Sequence, residues 1–103
     1  MNQDVTDNLQ VASSNGLDQA TVILEKLLAR AGAAHQPRNI TVIEEWVKAQ
    51  PGYCRVAVII SAYGTHIEIG PVRGADSQIT WAFREKELVE AEALLAGYFG
   101  EGR

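Results

Sequence analysis

The feature that most constrains this chain is a strand-like alternation of apolar residues in its second half. In residues 53–62, Cys54, Val56 and Val58 recur at every second position, which places their side chains on one face of a β-strand. A strand with a single apolar face is stable only when another layer covers that face, so the chain has to build a sheet with a layer packed on it. Two more strands are predicted on the same grounds, at 65–70 and 77–83.

Helical periodicity supplies the covering layer. Apolar residues at three- and four-residue spacing, among them Leu24 and Leu27, predict an amphipathic helix at 17–31. A comparable apolar stripe predicts a last helix at 84–99. The predicted fold class is therefore α+β, a three-stranded antiparallel sheet packed on one face by helices.

Residues 41–50 carry two opposed signals. Thr41 and Glu44 have the spacing of a helix capping box, and the stretch that follows them favours helix. The β-branched run at 40–43 is instead typical of a strand. We favour a short additional helix at 41–50, which joins the other two on the sheet.

Two details of the predicted sheet depend on single residues. Gly70-Pro71 is expected to end the second strand or to introduce a bulge, because proline cannot donate a hydrogen bond to a ladder. Trp81 alternates with Ile79 and Phe83 in the third strand, which predicts a core position for its side chain.

The length of 103 residues indicates one domain. The predicted elements place that domain at 17–100. Residues 1–16 are mostly polar and end in Ser13-Ser14-Asn15-Gly16, so we expect a flexible N-terminal arm.

Acidic residues outnumber basic ones in both halves of the chain. Thirteen Asp and Glu against nine Lys and Arg give a net charge of −4. Binding to a phosphate backbone or to an anionic membrane needs clustered Lys and Arg, which the sequence lacks. We therefore expect neither nucleic acid nor membrane as a partner. The net charge favours another protein as the partner, and a basic one.

The compartment follows from cysteine usage and hydropathy. Cys54 is the one cysteine of the chain, so no internal disulfide can form. The first residues have neither the basic start nor the apolar run of a signal peptide, and the longest apolar run, 56–60, is too short to cross a bilayer. These features predict a cytoplasmic protein.

Few residues carry the chemistry of a catalytic or metal site. His66 and Glu68 share a face of the second predicted strand, but a metal site needs a third ligand. Cys54 with a histidine would make a nucleophile pair, yet the predicted register places Cys54 and His66 on opposite faces. We expect no cofactor and no metal. An alternative function, a small ligand-binding domain or enzyme, would use Cys54, His66, Glu68 and Arg73.

The outward face of the predicted sheet is the best candidate for a binding surface. Tyr53, Ile59 and Tyr63 predict an exposed apolar patch there, and aromatic residues are enriched at interface hot spots. A homodimer would hide this face, or the free edge of the third strand, if either is uncovered. The candidate partner-binding residues are Tyr53, Arg55, Ile59, Tyr63, His66, Glu68 and Arg73.

Apart from the additional helix predicted at 41–50, the predicted element order of helix, three strands and helix is similar to that of double-stranded RNA-binding domains. Those domains present a basic cluster at the start of the last helix, where it contacts phosphates. The corresponding stretch here, Arg84-Glu85-Lys86-Glu87, is charge-balanced. Nucleic-acid binding is therefore the least favoured function.

The sequence favours a small acidic protein–protein interaction module that acts by surface contact rather than by catalysis. An adaptor, an inhibitor or immunity-type protein, and a chaperone of a secreted effector all fit this description. The support is the acidic charge, the small size and the lack of a catalytic set in the sequence.

Overall fold

The computed structural model describes residues 2–34 and 39–99, with side chains described from residue 16 onward within those ranges. The described chain is built of helices at either end and strands between them, so the predicted α+β class is confirmed. The elements are, in order, helix α1 (Asn2–Ala33), strands β1 (Thr41–Lys48), β2 (Tyr53–Ser61), β3 (Gly64–Arg73) and β4 (Trp81–Arg84), a 3-10 turn (Glu85–Glu87) and helix α2 (Leu88–Gly97).

The strands form one antiparallel sheet in their order along the chain, β1-β2-β3-β4. β1 pairs with β2 without a break, from Thr41 opposite Ile60 to Lys48 opposite Tyr53. Tight turns suffice to connect strands that pair in this way. The described sheet has four strands, so the prediction of three is wrong by one. The element order accordingly differs from the three-strand order that is similar to double-stranded RNA-binding domains.

The additional strand, β1, occupies the segment that was predicted as a helix at 41–50. Val42 and Ile43 are β-branched, and their side chains lose freedom in a helix. In the sheet Ile43 lies opposite Val58 and packs against the core. The helix prediction was wrong because pairing with β2, which is not a local signal, outweighs the capping-box spacing at Thr41.

The core lies between one face of the sheet and the two helices. α1 contributes Leu24 and Leu27 at the spacing of a helical stripe, which is why both side chains face the sheet. Burying one such side chain contributes about 1.5–3 kcal/mol. The largest fully buried side chains are Leu24, Leu27, Ile67, Ile69, Leu95, Val56, Val58 and Cys54.

β4 is shorter than predicted, and Trp81 is not a core residue. The predicted strand at 77–83 becomes regular only at Trp81. The bulge expected at Gly70-Pro71 is present in β3, and Pro71 has no N–H with which to extend the ladder, so β4 pairs no further than Ile69. Trp81 lies opposite Ile69 on the covered side, but it is 47% exposed because β4 is an edge strand.

The helices also differ from their predicted bounds. α1 begins at Asn2, so the predicted start at residue 17 is wrong, and the segment expected to be an arm is helical. The mobility of residues 1–16 stays a prediction. α2 begins at Leu88, after the 3-10 turn, and ends at Gly97 rather than at 99. Residues 1, 35–38 and 100–103, which include the predicted end of the domain, lie outside the described residues.

Candidate functional site

The two faces of the sheet have different surroundings. α1 and α2 pack against the face that carries Val56, Val58 and Ile67, whereas no described helix packs on the other face. We call this second surface the open face, and it is the candidate functional site. Its side chains are those of Val42, Glu44, Trp46, Lys48, Tyr53, Arg55, Ala57, Ile59, His66, Glu68, Arg73, Ala82 and Arg84.

A charged cluster, formed by Glu44, Arg55, His66 and Glu68, occupies the centre of the open face. Arg55 Nε donates a hydrogen bond to Glu44 Oε1 at 2.6 Å, and Arg55 Nη1 donates one to Glu68 Oε1 at 2.9 Å. Glu44 and Glu68 lie on either side of Ala57, so one arginine on β2 links three strands. His66 Nε2 lies 3.5 Å from Glu68 Oε2.

Hydrogen bonding decides the charge state of this cluster. Burial alone would lower the pKa of the Arg55 guanidinium, but its hydrogen bonds to Glu44 and Glu68 raise that pKa above its ordinary value. The hydrogen bond from Arg55 lowers the pKa of the Glu68 carboxyl. Both groups are therefore charged at neutral pH, and the arrangement is an ion-pair network that ties the strands together.

An aromatic end, formed by Trp46, Lys48, Tyr53 and Arg73, lies beside the charged cluster. Arg73 Cζ lies 4.1 Å from the centroid of the Trp46 ring, which is a cation–π contact. Tyr53 lies between Lys48 and Arg73 in the register and is 49% exposed. Neither Lys48 nor Arg73 forms an ion pair with a described residue. The aromatic end therefore presents ring surface and unpaired positive charge together.

The open face brings together all but one of the partner-binding residues that the sequence predicts. Tyr63 is the exception, because it lies in the turn between β2 and β3 and is 100% exposed. Each strand residue rises about 3.3 Å, so Tyr53 and Tyr63, at opposite ends of β2, are roughly 25 Å apart. The two tyrosines do not form one patch. The residues that do share the open face are Tyr53, Arg55, Ile59, His66, Glu68 and Arg73.

Ile59 lies on the open face but is only 8% exposed. Its cross-strand neighbours are Val42 on β1 and His66 on β3, whose side chains shield it from both sides. The predicted apolar patch at Ile59 is therefore not an exposed one. Ile59→Asp should destabilise the fold, because it would bury a carboxylate where the strand neighbours shield an apolar side chain.

Cys54 is separated from the other residues of the alternative ligand-binding or catalytic site. Its side chain is fully buried on the covered face, and burial raises the pKa of its thiol to about 11. The thiol is therefore protonated at neutral pH. His66, Glu68 and Arg73 lie on the open face, on the other side of the sheet. No pair of Cys54 with His66 is formed.

The remaining surface of the described chain offers little ligand chemistry. No group of three or more His, Cys, Asp or Glu side chains among the described residues could hold a metal ion. None of the described helices combines the length and the apolar character that crossing a membrane requires. A depression of about 430 Å³ beside the β2–β3 turn is lined by groups that are not ionisable: Gly32, Ile60, Ser61, Ala62, Gly64 and Thr65.

Sequence reasoning missed the part of the site that β1 supplies. Glu44, Trp46 and Lys48 were assigned to a helix and so could not be placed beside Arg55 or Tyr53. The β-branched run at 40–43 was the signal that could have found them, because it favours a strand in which every second residue shares a face.

Comparisons with known proteins do not identify the functional site, so it is defined by its geometry alone. This chain matches no family model, no curated protein and no solved structure at a significant level. The site is accordingly defined by two features of the open face, an ion-pair network at its centre and an aromatic end with two cations that form no ion pair with a described residue.

Proposed function

We propose that this chain is a small protein-binding module that recognises its partner through the open face. The observation that carries the proposal is the aromatic end, where Trp46, Tyr53 and Arg73 lie together on a surface that no described helix covers. Tryptophan, tyrosine and arginine are the residues most enriched at interface hot spots. Each offers a large contact area together with a polar group that orients the partner.

The rigidity of the strands supports this choice of site. Arg55 connects β1, β2 and β3 through Glu44 and Glu68, so the strands that carry the aromatic end are tied to one another on the open face as well as by their ladders. A surface held in one geometry loses less entropy when it binds, and this makes each contact more effective.

The local charge of the open face differs from that of the whole chain. Its two carboxylates, Glu44 and Glu68, are both committed to Arg55. Lys48 and Arg73 are left to give the aromatic end a positive charge. The partner segment that fits this end is therefore acidic and carries an apolar side chain to lie against the exposed ring of Tyr53.

The helical layer carries the acidic excess of the described chain. Charges in physiological salt are screened over about 8 Å, so the nearest charges dominate what a bound segment meets. A segment bound at the aromatic end would therefore feel the local cations more than the net charge of −4. The basic partner that the net charge favours would instead meet the acids of the helical layer, which from residue 16 onward are Asp18, Glu25, Glu85, Glu87, Glu90 and Glu92.

A protein fits the aromatic end better than a nucleic acid does. Aromatic rings on a sheet can stack with unpaired bases, but tracking a phosphate backbone takes a basic groove. Proteins that bind DNA tightly make about 6–10 phosphate contacts, and Lys48 and Arg73 would supply two. Adaptor, inhibitor and effector-chaperone roles in the cytoplasm all remain compatible with this proposal.

A peptide selection tests the proposal with a defined probe. A random peptide library is selected on the immobilised chain, and the affinity of enriched peptides is measured by fluorescence anisotropy. We expect acidic peptides with an aromatic or aliphatic residue, and at least about tenfold weaker binding to Arg73→Glu, because both the stacking and the charge are lost. Lys26→Glu on α1 makes the same charge change in the other layer and should bind as the unaltered chain does.

Two outcomes would count against the proposal. Enrichment of basic peptides whose binding survives Arg73→Glu would move the docking surface to the acidic helical layer. A single-stranded oligonucleotide that binds the chain and displaces the enriched peptide would make nucleic acid the ligand of the aromatic end.

A further inference from the structure

β1 is a long edge strand of the sheet. Within the described chain it hydrogen-bonds to β2 alone, and it has eight residues against four in the other edge strand, β4. An edge strand leaves a row of backbone N–H and C=O groups without partners, and proteins usually shorten, bulge or interrupt such edges. β1 contains no proline and pairs with β2 without a bulge, so its protection lies in the charged side chains of Glu44, Glu45 and Lys48, and a partner strand has to match them.

The hydrogen bonding at the end of β1 shows which backbone groups face outward. Ala49 N donates to Gly52 O at 2.6 Å, so these two residues form a hydrogen-bonded pair in the ladder that β1 makes with β2. Hydrogen-bonded pairs alternate along an antiparallel ladder. The odd-numbered residues of β1 therefore bond to β2, and the even-numbered ones direct their N–H and C=O groups to the free edge. The latter are Val42, Glu44, Trp46 and Lys48.

We infer that β1 pairs antiparallel with β1 of a second copy of this chain, with Trp46 opposite Trp46. A two-fold axis perpendicular to the sheet relates the copies, which keeps both open faces on the same side. Under this symmetry, each residue of β1 lies opposite a residue of the second copy whose side chain points to the same face of the sheet. The two sheets then become one continuous sheet.

Charge selects the register among those that the symmetry allows. Registers centred on Glu44 or on Glu45 would place identical carboxylates opposite each other, which is unfavourable. The register centred on Trp46 places Glu44 of each copy opposite Lys48 of the other. Registers centred on Ile43 or Val47 form no pair of opposite charges. Trp46, Glu44 and Lys48 are also residues whose backbone N–H and C=O groups point to the free edge.

The register has a consequence for the open face. Trp46 lies at the two-fold axis, so the aromatic ends of the two copies become neighbours on one surface. Lys48, which has no ion pair with a described residue, lies opposite Glu44 of the second copy, and Arg73 remains as the cation that each aromatic end offers to a partner. An interface that consists of one strand pair is small, so we expect association in the micromolar to millimolar range.

Charge-swap variants test this register by sedimentation equilibrium. Glu44→Lys and Lys48→Glu each place like charges opposite each other twice, and each should weaken self-association at least about tenfold. An equimolar mixture of the two variants should associate again, because every cross-strand pair in the heterodimer is then of opposite charge. Lys26→Glu on α1 is the matched control and should associate as the unaltered chain does.

Three results would overturn the inference: a monomeric unaltered chain up to millimolar concentration, self-association of Lys48→Glu at unaltered strength, or a mixture that associates no better than its components. Circular dichroism is recorded on each variant first. Should Glu44→Lys fail to fold because it loses Arg55, Lys48→Glu alone still decides, since Lys48 makes no ion pair within the described chain.

Discussion

The covered and open faces of the sheet are made of alternate residues of the same strands, and they differ in what shields their apolar side chains. On the covered face, Ile69 is buried under the helices. On the open face, Ile59 is nearly as buried, but its shield is made of strand neighbours such as Val42 and His66. Similar exposure thus has two physical origins, and the energetic and functional consequences should differ.

The largest effect we expect is on the covered face. Ile69→Ala should lower the free energy of unfolding by about 2–5 kcal/mol, because the helices cannot collapse fully into the cavity. Ile59→Ala should cost less than Ile69→Ala, because the shielding side chains on the open face can shift and water can enter. Urea denaturation of both variants measures the difference, and equal costs would mean that the open face is packed as tightly as the core.

Trp81 tests the edge of the covered face. Its side chain faces the helices' side but is half-exposed, so Trp81→Ala should cost about 2 kcal/mol rather than the 3–5 kcal/mol of a fully buried aromatic residue. The same denaturation experiment measures it. A cost of about 3–5 kcal/mol would contradict the half-exposed position of Trp81 and show that β4 is covered as completely as the core.

Arg55 tests the centre of the open face. Arg55→Ala should lower the free energy of unfolding by about 1 kcal/mol, because Glu44 and Glu68 lose a shared partner but are exposed enough to be hydrated. Arg84→Ala is the control, since Arg84 is more exposed and among the described residues pairs with the nearby Glu87, and its cost should be within about 0.5 kcal/mol. If the two variants lost the same free energy of unfolding, the ion-pair network of Arg55 would not stabilise the sheet.

The smallest effect we expect is on the loss of stability at acidic pH. The pKa of Glu68 is lowered in the folded chain by the hydrogen bond from Arg55, so its contribution to stability is present above the unfolded pKa of about 4.3. That contribution is lost as the pH falls below this value and through the folded pKa. Thermal unfolding between about pH 3 and pH 7 should show a smaller acid-induced loss of stability in Glu68→Gln. An identical pH profile for both chains would contradict this assignment.

The covered face was largely predictable from the sequence, because its signal is periodic. The alternation around Val56 and Val58 and the helical stripe at Leu24 and Leu27 correctly indicate a sheet with helices on one side. Residues 41–50 were not predictable in the same way. A local capping pattern and a β-branched run disagreed there, and the outcome depended on pairing with β2, which lies outside the segment.

The sequence predicts which residues of β2 lie on the open face but not which neighbours shield them. Alternation correctly placed Tyr53, Arg55 and Ile59 on one side of β2. It could not show that Val42 and His66 shield Ile59, since cross-strand neighbours depend on the register. For Trp81, likewise, alternation indicates which face a side chain takes and not how far the helices extend over it.

The most direct test of the open face as the docking surface is nuclear magnetic resonance with an acidic peptide from the selection. Titration of the peptide into the isotope-labelled chain is followed by backbone amide shifts. The largest changes should fall at Trp46, Lys48, Tyr53 and Arg73, with little change in α1 and α2, and Arg73→Glu should abolish them. The largest changes at exposed residues of the helices, with the aromatic end unchanged, would contradict it.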